Sequence, residues 1–153
     1  MDDVDYALLR LLQDNNQQTV RELAEQVGVS APTCLRRVRA LRKSGVIRHD
    51  ASLLDPAKLG LGLHCYVEIA LHLHSAMAVQ TFARHIKQVR EVLHCSEIAG
   101  STDFLLHVIV RDMAAFSNLA LTHLGVANNV KNYRSMFVIR EHKDDHRLPL
   151  EFS

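Results

Sequence analysis

Hydrophobic positions follow a helical period early in the chain and a two-residue period later. Val4, Leu8, Leu11 and Leu12 recur at spacings of three and four, which predicts one buried stripe on a helix from about Asp3 to Asp14. Asp2, with Asp5 three residues on, reads as its N-cap with acid in the first turn. Thr19-Val20-Arg21-Glu22 has the S/T-x-x-E form of a capping box, so a second helix starts there, buried through Leu23, Ala24 and Val27 and stopped by Gly28. Only Val29 separates that stop from Ser30, a new N-cap with Pro32 in the first turn. Two helices joined by so short a turn must cross steeply. The third helix packs through Cys34, Leu35, Val38 and Leu41 and ends at Ser44-Gly45, after which Val46 to Leu53 predicts a short extended run, a β wing or a connector.

Asp55-Pro56 and Gly60-Leu61-Gly62 punctuate a linker over residues 54–62. Beyond it Leu63, Cys65, Val67, Ile69, Leu71 and Leu73 alternate with His64, Tyr66, Glu68, Ala70, His72 and His74, the repeat of a strand. Ser75 caps a helix to about Gln88, buried through Met77, Val79, Phe82, Ala83 and Ile86. A strand from Val92 to about Ala99, the break Gly100-Ser101-Thr102-Asp103, and a strand from Phe104 to Val110 follow. Asp112 caps a further helix, packing through Met113, Phe116, Leu119 and Leu124. Asn128-Asn129 forms a turn tolerant of positive φ, and Val130 to Arg140 is the last strand. The order β-α-β-β-α-β is the ferredoxin-like arrangement. The fold class is therefore α+β: a helix-turn-helix domain over residues 1–53 and a ferredoxin-like domain over residues 63–153.

Composition changes this picture little. The 153 residues are 48% hydrophobic and 23% charged, which suits ordinary globular domains and argues against disorder. No apolar run approaches the roughly 20 residues of a membrane span, and the acidic start MDDVDYALL is unlike a secretory signal, so a cytoplasmic protein without membrane partners is expected. Cys34, Cys65 and Cys95 are too far apart for a CxxC motif and read as small buried hydrophobes.

Charge changes it more. The net charge is only +1, yet Arg21, Arg36, Arg37, Arg39, Arg42, Lys43 and Arg48 face only Glu22 and Glu25 between residues 21 and 49. A helix-turn-helix sets its second helix in the major groove with the first residues nearest the base edges. Those residues are Ser30, Ala31, Pro32, Thr33, Arg36 and Arg37. Arginine reads guanine through paired donors, and threonine can touch a base edge or a thymine methyl. Arg39, Arg42, Lys43 and Arg48 suit phosphates, which position without reading sequence. The plainer alternative is a soluble charged face. The conjunction of short helices, a tight turn at Gly28 and uncompensated base favours double-stranded DNA.

The whole chain resembles the leucine-responsive regulatory protein/AsnC family of transcription regulators. The resemblance rests on MDDVDYALLRLLQ, RELAEQVGVSAPTCLRRVRALRKSGVI, DASLLDPAKLG, GSTDFLL and the closing FVIREHK with LPL. It implies a winged helix-turn-helix joined to a ferredoxin-like domain, dimers paired sheet to sheet that assemble to tetramers or octamers, and amino-acid effectors bound in clefts between dimers. The family's G-x-x-D element falls on Gly100 and Asp103, with Ser101 and Thr102 between, and Tyr133 and Ser135 lie near its Thr/Ser position on the last strand. The chain departs from the family at Thr102, where an aromatic or charged residue is common, and at Ala127-Asn128-Asn129-Val130 in place of Leu-Pro-Gly-Val. Physically, N–H groups of a tight glycine turn can receive a carboxylate and Asp103 can hold an ammonium, which suits an α-amino acid; the alternative is a hairpin whose Gly100 and Asp103 merely serve the turn.

No cofactor or metal is expected. His72-x-His74, with His64 on the same strand face, offers imidazoles but no completing Cys or carboxylate pair, and reads as a polar or subunit-facing surface whose assembly would weaken as imidazole charges. G-x-S-x-G, Walker and HExxH motifs are absent, so no catalytic residue is assigned. The enzyme alternative is a sirohaem decarboxylase, which shares the two-domain architecture. The arginine-rich third helix argues against it.

Overall fold

The computed structural model describes residues 1–150. The chain forms two compact units, one from Met1 to Leu53 together with the segment from Lys143, the other from Leu54 to His142.

The first unit holds helices α1 (Asp3–Asp14), α2 (Val20–Val27) and α3 (Ala31–Lys43). Sequence-local chemistry starts each one. Asp2 and Asp5 form a reciprocal capping box, the Asp5 N–H donating to Asp2 Oδ1 at 3.0 Å and the Asp2 N–H to Asp5 Oδ2 at 3.2 Å. Thr19 and Glu22 do the same for α2. Gly28 ends α2 at φ +71°, a left-handed conformation that a side chain strains and that turns the chain directly into the Ser30 cap of α3. Leu8, Leu23, Ala24, Cys34 and Val38 meet as the buried core of the three helices.

Val46 to Leu53 forms no β wing. A strand needs a ladder partner, and none is present for this run among the described residues. The Ile47 N–H folds back to Leu41 O at 3.2 Å, and Asp50 is drawn to Arg42 at 3.0 Å. The segment from Lys143 to Leu150, expected with the second domain, clusters instead with the helices, because Gln13 brackets the Leu148 backbone with both its amide atoms and Arg147 pairs with Asp14 at 2.9 Å. Residues 151–153, also included in that expected domain, lie outside the described residues.

The second unit runs β1 (Leu63–Leu71), α4 (Ala76–Ile86), β2 (Val92–Glu97), β3 (Phe104–Val110), α5 (Met113–His123) and β4 (Val130–Phe137), with the expected linker residues, mostly exposed, grouped at its start. The sheet order is β2-β3-β1-β4, antiparallel throughout. Cys65, Val67, Ile69 and Leu71 of β1 and Phe104, Leu106, Val108 and Val110 of β3 face one way and bury against Phe82 and Ile86 of α4 and Phe116, Leu119 and Ala120 of α5. The two helices of this unit, α4 and α5, pack on that side, and the opposite face carries His64, Tyr66, His107 and Met136. There His107 stacks on Tyr66 at 4.8 Å and on His94 at 5.8 Å between ring centroids.

Two strands end earlier than the periodicity suggests: β4 where its ladder runs out, and β1 where its register with β4 shifts, the His72 N–H still reaching Asn129 O at 2.9 Å. β4 stops at Phe137, beyond which only Val138 reaches β1, through His64 O. β1 stops at Leu71, so His72 and His74 leave the strand face that they were expected to share with His64. Met77 and Met113, expected in the core, are exposed on their helices. No helix among the described residues is long and apolar enough to cross a membrane.

Candidate nucleic-acid interface and ligand turn

Around α3 the residues sort by angle, at about 100° per position. Cys34, Val38 and Leu41 form the buried line. Pro32, Arg36, Arg39 and Lys43 fall within about 60° of one another on the far side, and all are exposed. Arg36, Arg39 and Lys43 make no ion pair among the described residues. Arg37 and Arg42 lie on the flanks, and both are committed. Arg37 Nη1 sits 2.8 Å from Asp2 and 2.9 Å from Asp5, its side chain only 26% exposed and its Nε buried without a partner. Its pKa is raised, first by Asp5 and then by Asp2. The Asp2 carboxyl is held below its ordinary value, first by the Asp5 N–H, with Arg37 adding to it.

Arg37, expected at a base edge, is therefore a tie between α3 and the cap of α1. Compensation was invisible in the local charge count because the acids lie 35 and 32 residues away. Arg42 makes a single pair with Asp50, eight residues on, at 3.0 Å between exposed side chains. Ser30 and Thr33 complete the start of α3: Thr33 N donates to Ser30 Oγ, and the two hydroxyls are 2.9 Å apart. Ala31 is exposed beside them, no acid stands in the first turn, and Arg48 is exposed in the irregular run after the helix. This end of α3 thus adds the positive pole of a helix to the basic stripe.

The turn from Gly100 to Asp103 joins β2 to β3. Gly100 does not need to be glycine for conformational reasons: its φ is not positive, and a Cβ there would meet nothing within 4 Å. The N–H groups of Gly100, Ser101 and Thr102 donate no hydrogen bond among the described residues. Asp103 is the organised member. Its N–H donates to Ile69 O at 2.8 Å, its carboxylate accepts the Leu71 N–H at 2.7 Å, and its second oxygen lies 3.0 Å from His74 Nδ1.

Tyr133 and Ser135 do not join this turn within the chain. They sit opposite Ile69 and Val67 on β4, so β1 lies between them and β3. Tyr133 is half-exposed, while the Ser135 hydroxyl is buried with no partner among the described residues.

His74 and Asn129 are the residues that sequence reasoning did not assign here. Asn129, at φ +67°, clamps Leu73 from both sides, accepting its N–H at 3.0 Å and donating to its carbonyl at 2.9 Å. The Asn128-Asn129 pair signalled positive φ, but nothing local signalled the clamp. A cavity of about 480 Å³ opens beside this segment, lined by Leu73, Ser75, Met77, Phe82, His85 and Val126 among others. At its wall His85 Nε2 lies 3.2 Å from His123 Nδ1, and burial, with His123 second, pushes the His85 pKa down. Burial also raises the thiols of Cys34 and Cys65, the latter to about 11, which leaves both inert.

Two family models match the chain. That of the winged helix-turn-helix DNA-binding domain covers residues 1–48, and that of the Lrp/AsnC ligand binding domain covers residues 64–148. The leucine-responsive regulatory protein of Rhizobium meliloti (strain 1021) is 38% identical over 94% of this chain and 92% of its own length. The glutamate uptake regulatory protein of Zymomonas mobilis is 34% identical over 98% of this chain and 91% of its own. Among solved structures, a transcriptional regulator of Neisseria meningitidis in complex with L-Met superposes with a TM-score of 0.92 at 36% identity, covering 98% of this chain and 97% of that one.

Proposed function

The chain belongs to the Lrp/AsnC family of transcriptional regulators, and from that premise we propose which of its residues meet DNA and which meet the effector. As a DNA-binding regulator with a ligand-binding domain, it needs a surface for a polyanion and a turn for a small molecule. The observation that carries the first assignment is the unpaired stripe Pro32, Arg36, Arg39 and Lys43. Arg36, with Thr33 at the helix start, reads base edges in the major groove. Arg39, Lys43 and Arg48 neutralise phosphates. Arg37 and Arg42 hold the helix in place and contribute only their residual field.

The effector is an α-amino acid bound at Gly100 to Asp103, its carboxylate on the free N–H groups and its ammonium on Asp103. Support comes from the three undonated N–H groups and from the L-Met complex of the Neisseria regulator. The sheet face away from α4 and α5 is the surface on which a second copy sits, giving a dimer that assembles further to a tetramer or octamer. Paired α3 helices then meet half-sites about 10 bp or a multiple apart. Such a regulator works beside the chromosome, in the cytoplasm.

Titration of the full chain with duplex DNA tests the first assignment. Affinity should fall linearly on a log–log plot of binding constant against salt. No association at low ionic strength, or one indifferent to KCl, overturns it. A thermal-shift screen of the common amino acids tests the second, since a ligand of the native state raises Tm.

A further inference from the structure

His85 and His123 belong to neither assignment made above. His85 is the penultimate residue of α4 and His123 the last of α5, two helices packed on one face of the sheet. Their imidazoles meet there, His85 Nε2 lying 3.2 Å from His123 Nδ1 with ring centroids 5.1 Å apart and planes tilted by 44°. A straight hydrogen bond of this length would set the centroids about 5.5 Å apart, since each nitrogen lies about 1.15 Å from its ring centre. Two imidazoles on one tetrahedral ion, each nitrogen about 2.0 to 2.1 Å from it, stand about 3.3 Å apart at the nitrogens and about 5.2 Å at the centroids. The pair is bent away from hydrogen-bond geometry and matches the bite of a shared ion.

We propose that His85 and His123 are two ligands of a divalent transition metal of the zinc type, at a site separate from the Gly100 to Asp103 turn. Late first-row ions take imidazole nitrogen readily. Ligation asks each facing nitrogen to be free of hydrogen, which the other ring nitrogen then carries. The neutral ring is the ligand, and burial already favours that form of His85. The helix ends supply a second, independent attraction. Both imidazoles stand at the C-terminal pole of an 11-residue helix, where the unsatisfied carbonyls carry partial negative charge and favour a cation. The neighbouring fixed cation, Arg84, is exposed and turned to Thr81 Oγ1 at 3.2 Å.

No third His, Cys, Asp or Glu joins the pair among the described residues, so the remaining positions fall to water or to neutral oxygen donors. His85 lines the cavity of about 480 Å³ together with Ser75, Thr81 and Asn128. Asn128 spends its amide N–H groups on Thr122 O at 3.2 Å and His123 O at 3.1 Å, while its amide oxygen accepts no hydrogen bond among the described residues. A site with two protein ligands is open, unlike the closed four-ligand sites on which whole folds depend. Its effect is to pin the end of α4 to the end of α5. Spacing along the chain conceals it, because 38 residues separate the two histidines.

Isothermal titration calorimetry of the full chain with zinc chloride, in a non-chelating buffer at about pH 7.5 where imidazole is neutral, tests this. The proteins are wild type, His85→Gln, His123→Gln and, as a control for surface imidazoles, His72→Gln. The tightest zinc site of the wild type should weaken by about tenfold or more in His85→Gln and in His123→Gln, since even an outer-shell partner is worth that much, and should persist in His72→Gln. Melts of each variant without metal show whether it folds. A second measurement needs no variant: zinc should protect His85 and His123 of the wild type together from diethyl pyrocarbonate, read by peptide mass spectrometry. No zinc binding by the wild type overturns the site. So does wild-type affinity in both folded variants, or modification of the two histidines unchanged by zinc.

Discussion

Arg36 and Arg37 are neighbours in sequence and about 100° apart around α3, and that angle separates their roles. One projects from the exposed stripe and the other closes on Asp2 and Asp5. Replacing Arg37 by Ala should lower Tm, because it frees two carboxylates at the cap of α1 and removes the tie between helices. It should leave base preference and the salt slope of DNA binding intact. Arg36→Ala or Lys43→Ala should leave Tm nearly unchanged and reduce that slope by about one unit each; Arg36→Ala should also relax preference at one base position. Anisotropy titrations over a series of salt concentrations, with a thermal melt of each variant, separate the two behaviours. A changed base preference in Arg37→Ala would return that residue to the groove.

Elements are fixed by their ends. Gly28 is the clearest case, since its φ of +71° is needed to pass from α2 to α3 within one turn and a Cβ there would clash with nothing. Gly28→Ala should therefore cost about 1 to 2 kcal/mol through backbone strain alone, read from urea unfolding. The α4 and α5 helices carry a different constraint, the His85–His123 contact at 3.2 Å. His85 is shifted down in the folded state, so the unfolded chain binds its proton first as pH falls. Its contribution to stability is full above the unfolded value of about 6.5 and is lost as pH drops below it toward the folded value. His85→Gln should thus lose less stability than wild type between pH 7 and pH 5, measured as the change in Tm.

At the scale of the whole molecule the two units have separate cores, one of Leu8, Leu23 and Val38 and one of Val67, Ile69, Leu106 and Phe82. In a regulator with two such units, an effector changes DNA binding only by favouring one arrangement of the protein over another. If effector and DNA are coupled, saturating DNA must change effector affinity by the same factor that effector changes DNA affinity. Calorimetry with and without duplex measures one arm and anisotropy the other; unequal factors would mean that the two equilibria are not linked as a single cycle. The sheet face away from α4 and α5 supplies a second test. Tyr66→Glu places a carboxylate amid Met136 and His107 on that face, and should lower the solution mass determined by light scattering.

What the sequence determined by itself is what short-range chemistry controls. The caps at Asp2, Thr19, Ser30, Ser75 and Asp112 start the five α-helices of the described residues where their side chains dictate, since each bonds an N–H only three residues away. The change of hydrophobic period likewise marked out the β-α-β-β-α-β order. Only the tertiary structure decided where ladders ran out or lost register, and so ended β1 and β4 early and left Val46 to Leu53 without a ladder. It also decided which charges were free. Arg37 with Asp2 and His74 with Asp103 are pairs 35 and 29 residues apart, and ion pairing depends on distance in space, which no local count of charge records.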